Sequence, residues 1–177
     1  KHMEAQLAAQ ERDKLHSMAH SDPLTGLLNR RGLNEALAAA LPRSAPEKLL
    51  AIYVLDLDQF KPVNDQYGHD VGDELLLVVA QRLRASVRAG DAVARFGGDE
   101  FVVMAGGLAG ESQAHELGNK LLDAFAAPFA LTQQTCRVGV TIGYGLAPVD
   151  GTDATALLKA ADASMYAGKQ EGRNLVK

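Results

Sequence analysis

The sequence has no tryptophan, a single cysteine, and an aromatic content of only 5%. One thiol, Cys136, leaves no internal disulfide to staple the fold, and a reducing compartment suits it. Uninterrupted apolar runs stay far below the ~18 residues that a membrane-spanning helix needs. No excess of basic residues is present either: 18 Lys and Arg against 22 Asp and Glu give a formal net charge of −4. Lacking a basic stripe, the chain is not built for a nucleic-acid duplex, whereas a nucleotide held through a metal remains compatible with it. There is no internal repeat and no low-complexity segment. What is there, 47% hydrophobic and 23% charged over 177 residues, suits one ordinary globular domain with a real core. The expected location is the cytoplasm, with membrane anchoring of a parent protein left open.

Three segments are expected. Residues 1–3, Lys1-His2-Met3, read as an expression-vector remnant, so the natural protein would continue upstream into a sensor domain. Residues 4–20 read as a linker or stalk helix, free of Gly and Pro and rich in Ala, Gln, Glu, Leu and Lys. Its apolar stripe is thin (Leu7, Leu15, Met18), which suits a coiled-coil stalk and, on periodicity alone, equally an ordinary surface helix. Residues 21–177 form the main domain. After the breakers Pro23 and Gly26, a helix is expected from about Arg31 to Leu41. Leu49 to Leu55 is a nearly continuous apolar run, read as a central strand buried on both faces. Period two places Ile52, Val54 and Asp56 on one side of it. Gln59–Tyr67 is a short polar turn or helix, and the segment after Asp73 is a strong helix with Leu76, Val79, Leu83 and Val87 in phase. Further on come a helix over Glu111–Ala126, strands over Pro128–Leu131 and Thr135–Leu146, and a last helix capped by Thr152 or Asp153 and ending near Gly172.

The chain is organised around Arg95-Phe96-Gly97-Gly98-Asp99-Glu100-Phe101. Two β-prone runs flank a Gly-Gly pair, which predicts a hairpin because glycine accepts the positive φ of tight connections. Asp99 and Glu100 place two repelling carboxylates side by side at its tip. A third carboxylate, Asp56, ends the buried strand, where it needs a partner or a cation. The order of elements predicts an α+β fold: a mixed, mostly antiparallel sheet of about five strands with helices on both faces. That arrangement carries Asp56 towards Asp99 and Glu100.

Several separated motifs then resemble one family. Gly97-Gly98-Asp99-Glu100-Phe101 is similar to the signature of the GGDEF domain family, the diguanylate cyclases. Asp22-Pro23-Leu24-Thr25-Gly26-Leu27 with Asn29-Arg30 resembles its opening motif. Asp56-Leu57-Asp58-Gln59-Phe60-Lys61 with Asn64-Asp65, Gly68-His69 and Gly72-Asp73 resembles its nucleotide block. Ala161-Asp162, Met165-Tyr166, Lys169 and Gly172-Arg173-Asn174 resemble its closing motif. The resemblance implies a fold similar to the palm of nucleotidyl cyclases and polymerases, with 21–177 as the catalytic domain. It also implies condensation of two GTP into cyclic di-GMP and two pyrophosphates across a homodimer.

By the same resemblance, two Mg²⁺ (or Mn²⁺) per site would be held by Asp56, the Leu57 carbonyl and Glu100, with Asp99 at or beside the site. Asp56, Asp99 and Glu100 are the implied catalytic residues. Asn64 and Asp73 would read guanine, whose N1–H and exocyclic amine are donors that suit an acceptor carboxylate. Gln59, Phe60, Lys61, Lys169 and Arg173 would hold phosphates. Without the motif, Asp73 is equally a helix-start acid, and Lys169 and Arg173 are equally cations at a helix C-terminus. Arg88-x-x-Asp91, at a fixed offset before Gly97, resembles the family's inhibitory product site. Gly168 stands where alanine is usual, which is expected to loosen the last helical turn by about 1 kcal/mol. Two other classes are compatible with parts of the chain: a non-catalytic GTP or cyclic di-GMP receptor, and a pure dimerisation module driven by the N-terminal helix.

Overall fold

A computed structural model describes residues 2–177, so Lys1 of the leading tripeptide lies outside the described residues. In chain order the elements are α1 (His2–His20), α2 (Arg30–Ala40), β1 (Leu49–Asp58), α3 (Phe60–Tyr67), α4 (His69–Ser86), β2 (Ala92–Gly97) and β3 (Glu100–Leu108). They are followed by α5 (Glu111–Asp123), β4 (Phe129–Ala130), β5 (Thr135–Cys136), β6 (Gly139–Ala147) and α6 (Ala154–Glu171).

The architecture is the expected α+β sandwich, with a narrower main sheet. Four strands run in the order β2-β3-β1-β6, and every neighbouring pair is antiparallel. Among the described residues the mixed character comes from isolated parallel bridges at the two edges, Leu28 to Ala94 outside β2 and Ile142 to Val176 outside β6. The segment from Pro128 to Leu131, expected to join the sheet, instead pairs with β5 as a separate two-stranded hairpin. Arg82 holds it against α4. Its guanidinium lies 3.7 Å from the Phe129 ring centroid and donates to the carbonyls of Ala124, Ala127 and Pro128, pinning this hairpin to α4.

Each apolar face of the sheet has its own cover. Tyr53, Leu55, Phe101 and Val103 face the helices α4 and α5 through Leu75, Leu76, Val79, Leu83 and Leu121. Ile52, Val54 and Val102 face α2 and α6 through Leu33, Leu37, Leu157 and Ala161. This is why β1 reads as an apolar run without alternation: both of its faces are buried. Tyr53 is fully buried, and its hydroxyl donates to the Ala114 carbonyl at 2.5 Å, which satisfies the one polar atom of that ring. Burial, with the neighbouring Tyr144 second, pushes its phenol well above the usual range.

On the other face, α6 lies directly on β6. A Cβ at Gly143 would land on backbone atoms of Ala161 and Met165, so only glycine permits that approach. Among the described residues no helix is long and apolar enough to cross a membrane.

Candidate functional site

The site begins at the β2–β3 hairpin. The two-residue connection is Gly98-Asp99; Gly98 (φ +52°) enters it with a positive φ, and Gly97 (φ +120°), the last residue of β2, takes another at the bulge. The register slips by one residue between Arg95 and Gly97, a bulge that bends the end of β2 and re-aims the tip. The tip is braced from below. Arg95 donates from Nε to the Gly98 carbonyl at 3.0 Å and from a terminal nitrogen to Asp22 Oδ1 at 2.9 Å. Asp22 is itself buried and closes a turn by accepting from the Thr25 amide and hydroxyl. Backbone bonds from the Leu28 amide to Val93 and from the Arg95 amide to Leu28 lay this turn along β2. Asn29 caps α2 through Gly32 and donates to the Ala19 carbonyl, so the end of α1, the turn and the hairpin form one connected unit.

Burial alone would raise the Asp22 carboxyl, but the Thr25 bonds and the Arg95 guanidinium outweigh it and hold the carboxyl below its usual range. A group with a depressed folded value stabilises the fold above its unfolded value of about 3.9 and loses that contribution as pH falls through the folded one. Asp22→Asn is therefore expected to lower stability at pH 7 by about 3 kcal/mol, in the range for one lost partner of a buried pair. Thermal unfolding of both forms should show the gap closing between pH 5 and pH 2. A gap that is constant with pH would contradict this role.

At the tip the sheet register sets Asp56 directly opposite Glu100, and the Leu57 amide donates to the Asp99 carbonyl at 3.2 Å. Asp56, Asp99 and Glu100 are thus brought together from β1 and the hairpin. Burial, then the Asp56 carboxylate, pushes the Asp99 carboxyl up, with Lys169 opposing. Burial, then Asp162 on α6, pushes the Glu100 carboxyl up, with Arg30 opposing. Arg30 stacks 4.2 Å from the Phe96 ring centroid. Arg30, Phe96, Glu100, Lys159 and Asp162 line a groove of about 450 Å³ on that side of the tip.

Two cations approach from α6 and the residues after it. Lys169 Nζ lies 3.0 Å from Asp56 Oδ2 and 3.3 Å from Asp58 Oδ1, and an Arg173 terminal nitrogen is 3.7 Å from the latter. Gly168 has a reason beyond the expected loosening of the helix. A Cβ there would come within 2.9 Å of Thr141 Cγ2 and 3.0 Å of Leu175 Cδ1, so glycine admits the C-terminal tail.

The remaining predicted residues are less gathered. Gln59 (φ +63°) leads into α3, whose first turn carries a buried Phe60 and an exposed Lys61. Asn64 on α3 turns its Oδ1 towards Gly72 of α4, where that oxygen is buried without a hydrogen-bond partner. Asp73 is exposed on the first turns of α4. Arg88 and Asp91 stand at the opposite end of β2 from the tip. The Arg88 guanidinium reaches Asp91 at 3.4 Å and the Gly106 carbonyl at 2.7 Å, beside a groove of about 420 Å³ that also carries Arg43 and Lys48.

The donor set at the tip suits hard cations, being carboxylate and carbonyl oxygen throughout. Among the described residues no three carboxylate, imidazole or thiol groups are already close enough to hold an ion unaided. An ion here would complete its shell with oxygens of a triphosphate, as Mg²⁺ usually does. Sequence reasoning gave no role to Asp58, Asp162 or the Asp22–Arg95 pair.

Carboxylates at the end of a central antiparallel strand, faced by an ammonium and a guanidinium, define the class: an α+β domain with acidic and basic groups gathered at one end of its sheet. The profile of the family described as "Diguanylate cyclase, GGDEF domain" matches residues 19–175, and the chain belongs to that family. Diguanylate cyclase TpbB of Pseudomonas aeruginosa is 39% identical over 92% of this chain and 38% of its own length. The solved GGDEF domain of TpbB superposes with a TM-score of 0.85 at 36% identity, covering 89% of this chain and 93% of that one. Cyclic di-GMP phosphodiesterase NbdA of the same species is 42% identical over 90% of this chain, which spans only 20% of that relative. A further microbial GGDEF domain, solved in a study of its interaction with cyclic di-GMP, has a TM-score of 0.74 at 33% identity, covering 92% of this chain and 97% of that one.

Proposed function

We propose that this domain condenses two GTP into cyclic di-GMP and two pyrophosphates, working as a pair of facing domains. The observation that carries the reading is the convergence of Asp56, Asp99 and Glu100 with Lys169 at the hairpin tip. The 3′-oxygen of one nucleotide bonds to the α-phosphorus of the other, the bond to the pyrophosphate group breaks, and a second such step closes the ring. Each site holds one GTP, so the second nucleotide must arrive on another copy of the chain.

Divalent cations, two Mg²⁺ or Mn²⁺ per site, would neutralise the triphosphate and acidify the attacking hydroxyl. Asp56, Glu100, Asp99 and the Leu57 carbonyl are the residues that would hold them. Asp99, at the same tip, would be placed to take the proton that this hydroxyl releases. Lys169, Arg173 and Lys61, with the amides near Gln59 and Phe60, would orient the phosphates so that pyrophosphate leaves as a neutralised group. The exposed carboxylate of Asp73 would offer an acceptor to the donor edge of guanine, and Asn64 would do so once its amide turns out from the place it holds against Gly72. The bonds from Ala19 through Asn29 and Arg95 to the hairpin would let α1, pairing with a second copy, set how the two tips face each other.

Incubating the protein with GTP and Mg²⁺ and resolving the products tests the reading. Pyrophosphate and cyclic di-GMP in a ratio of two to one, at a specific rate that rises with protein concentration, are expected. GTP or cyclic di-GMP uptake without turnover would instead identify a receptor.

Arg88 and Asp91 are proposed to bind the product and inhibit turnover. Arg88 is 64% exposed at the side chain and already aligned by Asp91, which suits capture of a phosphodiester. In steady-state assays with added cyclic di-GMP, Arg88→Ala should raise the inhibitory concentration about tenfold or more. Equal inhibition of the two forms would reject this site.

A further inference from the structure

The carboxylate of Asp58, the last residue of β1, is almost wholly enclosed, with the residue 6% exposed. Thr141 Oγ1 donates to it at 2.9 and 3.0 Å, and the Asn174 amide donates to Oδ2 at 2.9 Å. Lys169 and Arg173 supply the countercharge. With these partners on both oxygens the group has no free face for an ion or a substrate. Its neighbour two residues earlier, Asp56, shares only Lys169 with it and is more exposed.

The chain spends conformational energy to build this arrangement. Gly172, Arg173 and Asn174 all have positive φ (+132°, +65°, +47°), and two of them are not glycine. Such backbone is uncommon in residues with side chains and persists where the surroundings over-determine it. Here the surroundings are Asp58 on the Asn174 amide, Asn174 Oδ1 accepting from Val140, and the tail bonds between Ile142 and both Leu175 and Lys177. The left-handed turn brings Arg173 back towards the sheet end instead of letting it continue along α6.

We propose that Asp58 is the positioning residue of the phosphate clamp, anchoring Lys169, Arg173 and the left-handed tail turn beside the Asp56–Asp99–Glu100 cluster. This rests on the cyclase reading above. Asp58 touches neither the nucleotide nor a cation. It is a fixed countercharge that keeps the Lys169 ammonium in place when Asp56 turns to other partners and Lys169 turns to phosphate.

The test uses 3′-deoxy-GTP, which lacks the attacking hydroxyl and so binds without turnover, with Mg²⁺ and calorimetric detection. Asp58→Asn should weaken its binding about tenfold, the lower end for residues that orient a site through others. Thr141→Val, which keeps the shape and removes one donor, should act in the same direction and more weakly. In a Lys169→Met/Arg173→Met background, adding Asp58→Asn should change affinity less than twofold. In that background it should also raise Tm, because it removes a buried charge left without its countercharges. A merely structural role would weaken binding equally in both backgrounds and lower Tm in both, and that result overturns the proposal. So does unchanged affinity of Asp58→Asn while the unaltered protein binds 3′-deoxy-GTP normally, an outcome that leaves the cyclase reading intact. If the unaltered protein takes up no 3′-deoxy-GTP with Mg²⁺, both fall together.

Discussion

Replacing Asp56 by asparagine, or Glu100 by glutamine, is expected to slow cyclic di-GMP formation about 10³-fold while leaving the fold intact. The two residues face each other across the β1–β3 register, and Asp99 stands beside them. In the folded protein without cations their charges repel one another, and Asp162 adds to the repulsion at Glu100. Glu100→Gln removes one member of that set and keeps its size. It should therefore raise Tm slightly in a metal-free buffer, the opposite of what deleting a structural carboxylate does. Product chromatography and thermal unfolding on the same samples check both halves. Turnover within tenfold of the unaltered protein, or a Tm lowered by several degrees, would contradict this assignment of the carboxylates.

A second large effect is expected far from the chemistry. Gly143→Ala places a methyl group where the backbone of α6 runs, at Ala161 and Met165. Backbone of a packed helix cannot step aside as a side-chain end can, so the expected loss is about 3 kcal/mol, at the upper end for overpacking. For a domain of this size that lowers Tm by about 10 °C. Because α6 carries Lys169 and leads to Arg173, the remaining folded protein should also bind GTP more weakly. A variant melting within 2 °C of the unaltered protein would show that α6 does not lie so close to β6. Scanning calorimetry decides it.

Much of this is legible in the sequence, and the reasons differ from element to element. β1 announces itself by an apolar run that ends at Asp56, because a strand covered on both faces has no polar positions to spare. The hairpin follows from the Gly-Gly pair, since those dihedrals are cheap only for glycine. In β6 a strand is legible over Thr135–Leu146, with Gly139, Gly143 and Gly145 in it. Their purpose is not, because it depends on a helix some twenty residues later. The Asp22–Arg95 bridge spans 73 positions, and nothing local to either residue points at the other. Asp58 is hidden for the same reason: Thr141, Lys169, Arg173 and Asn174 reach it only after β6 and α6 are in place. The small β4–β5 hairpin has strand-like composition, and its hold on α4 through Arg82 is a tertiary contact with no sequence signature.

The central proposal is that acidic groups at the hairpin tip hold divalent cations beneath a nucleotide triphosphate. The most direct measurement is a calorimetric titration of GTP into the unaltered protein and into Glu100→Gln, each with Mg²⁺ and with chelator. Saturable uptake by the unaltered protein only when Mg²⁺ is present, and greatly weakened uptake by the variant, is the predicted result. Uptake that ignores both the metal and the substitution would contradict it.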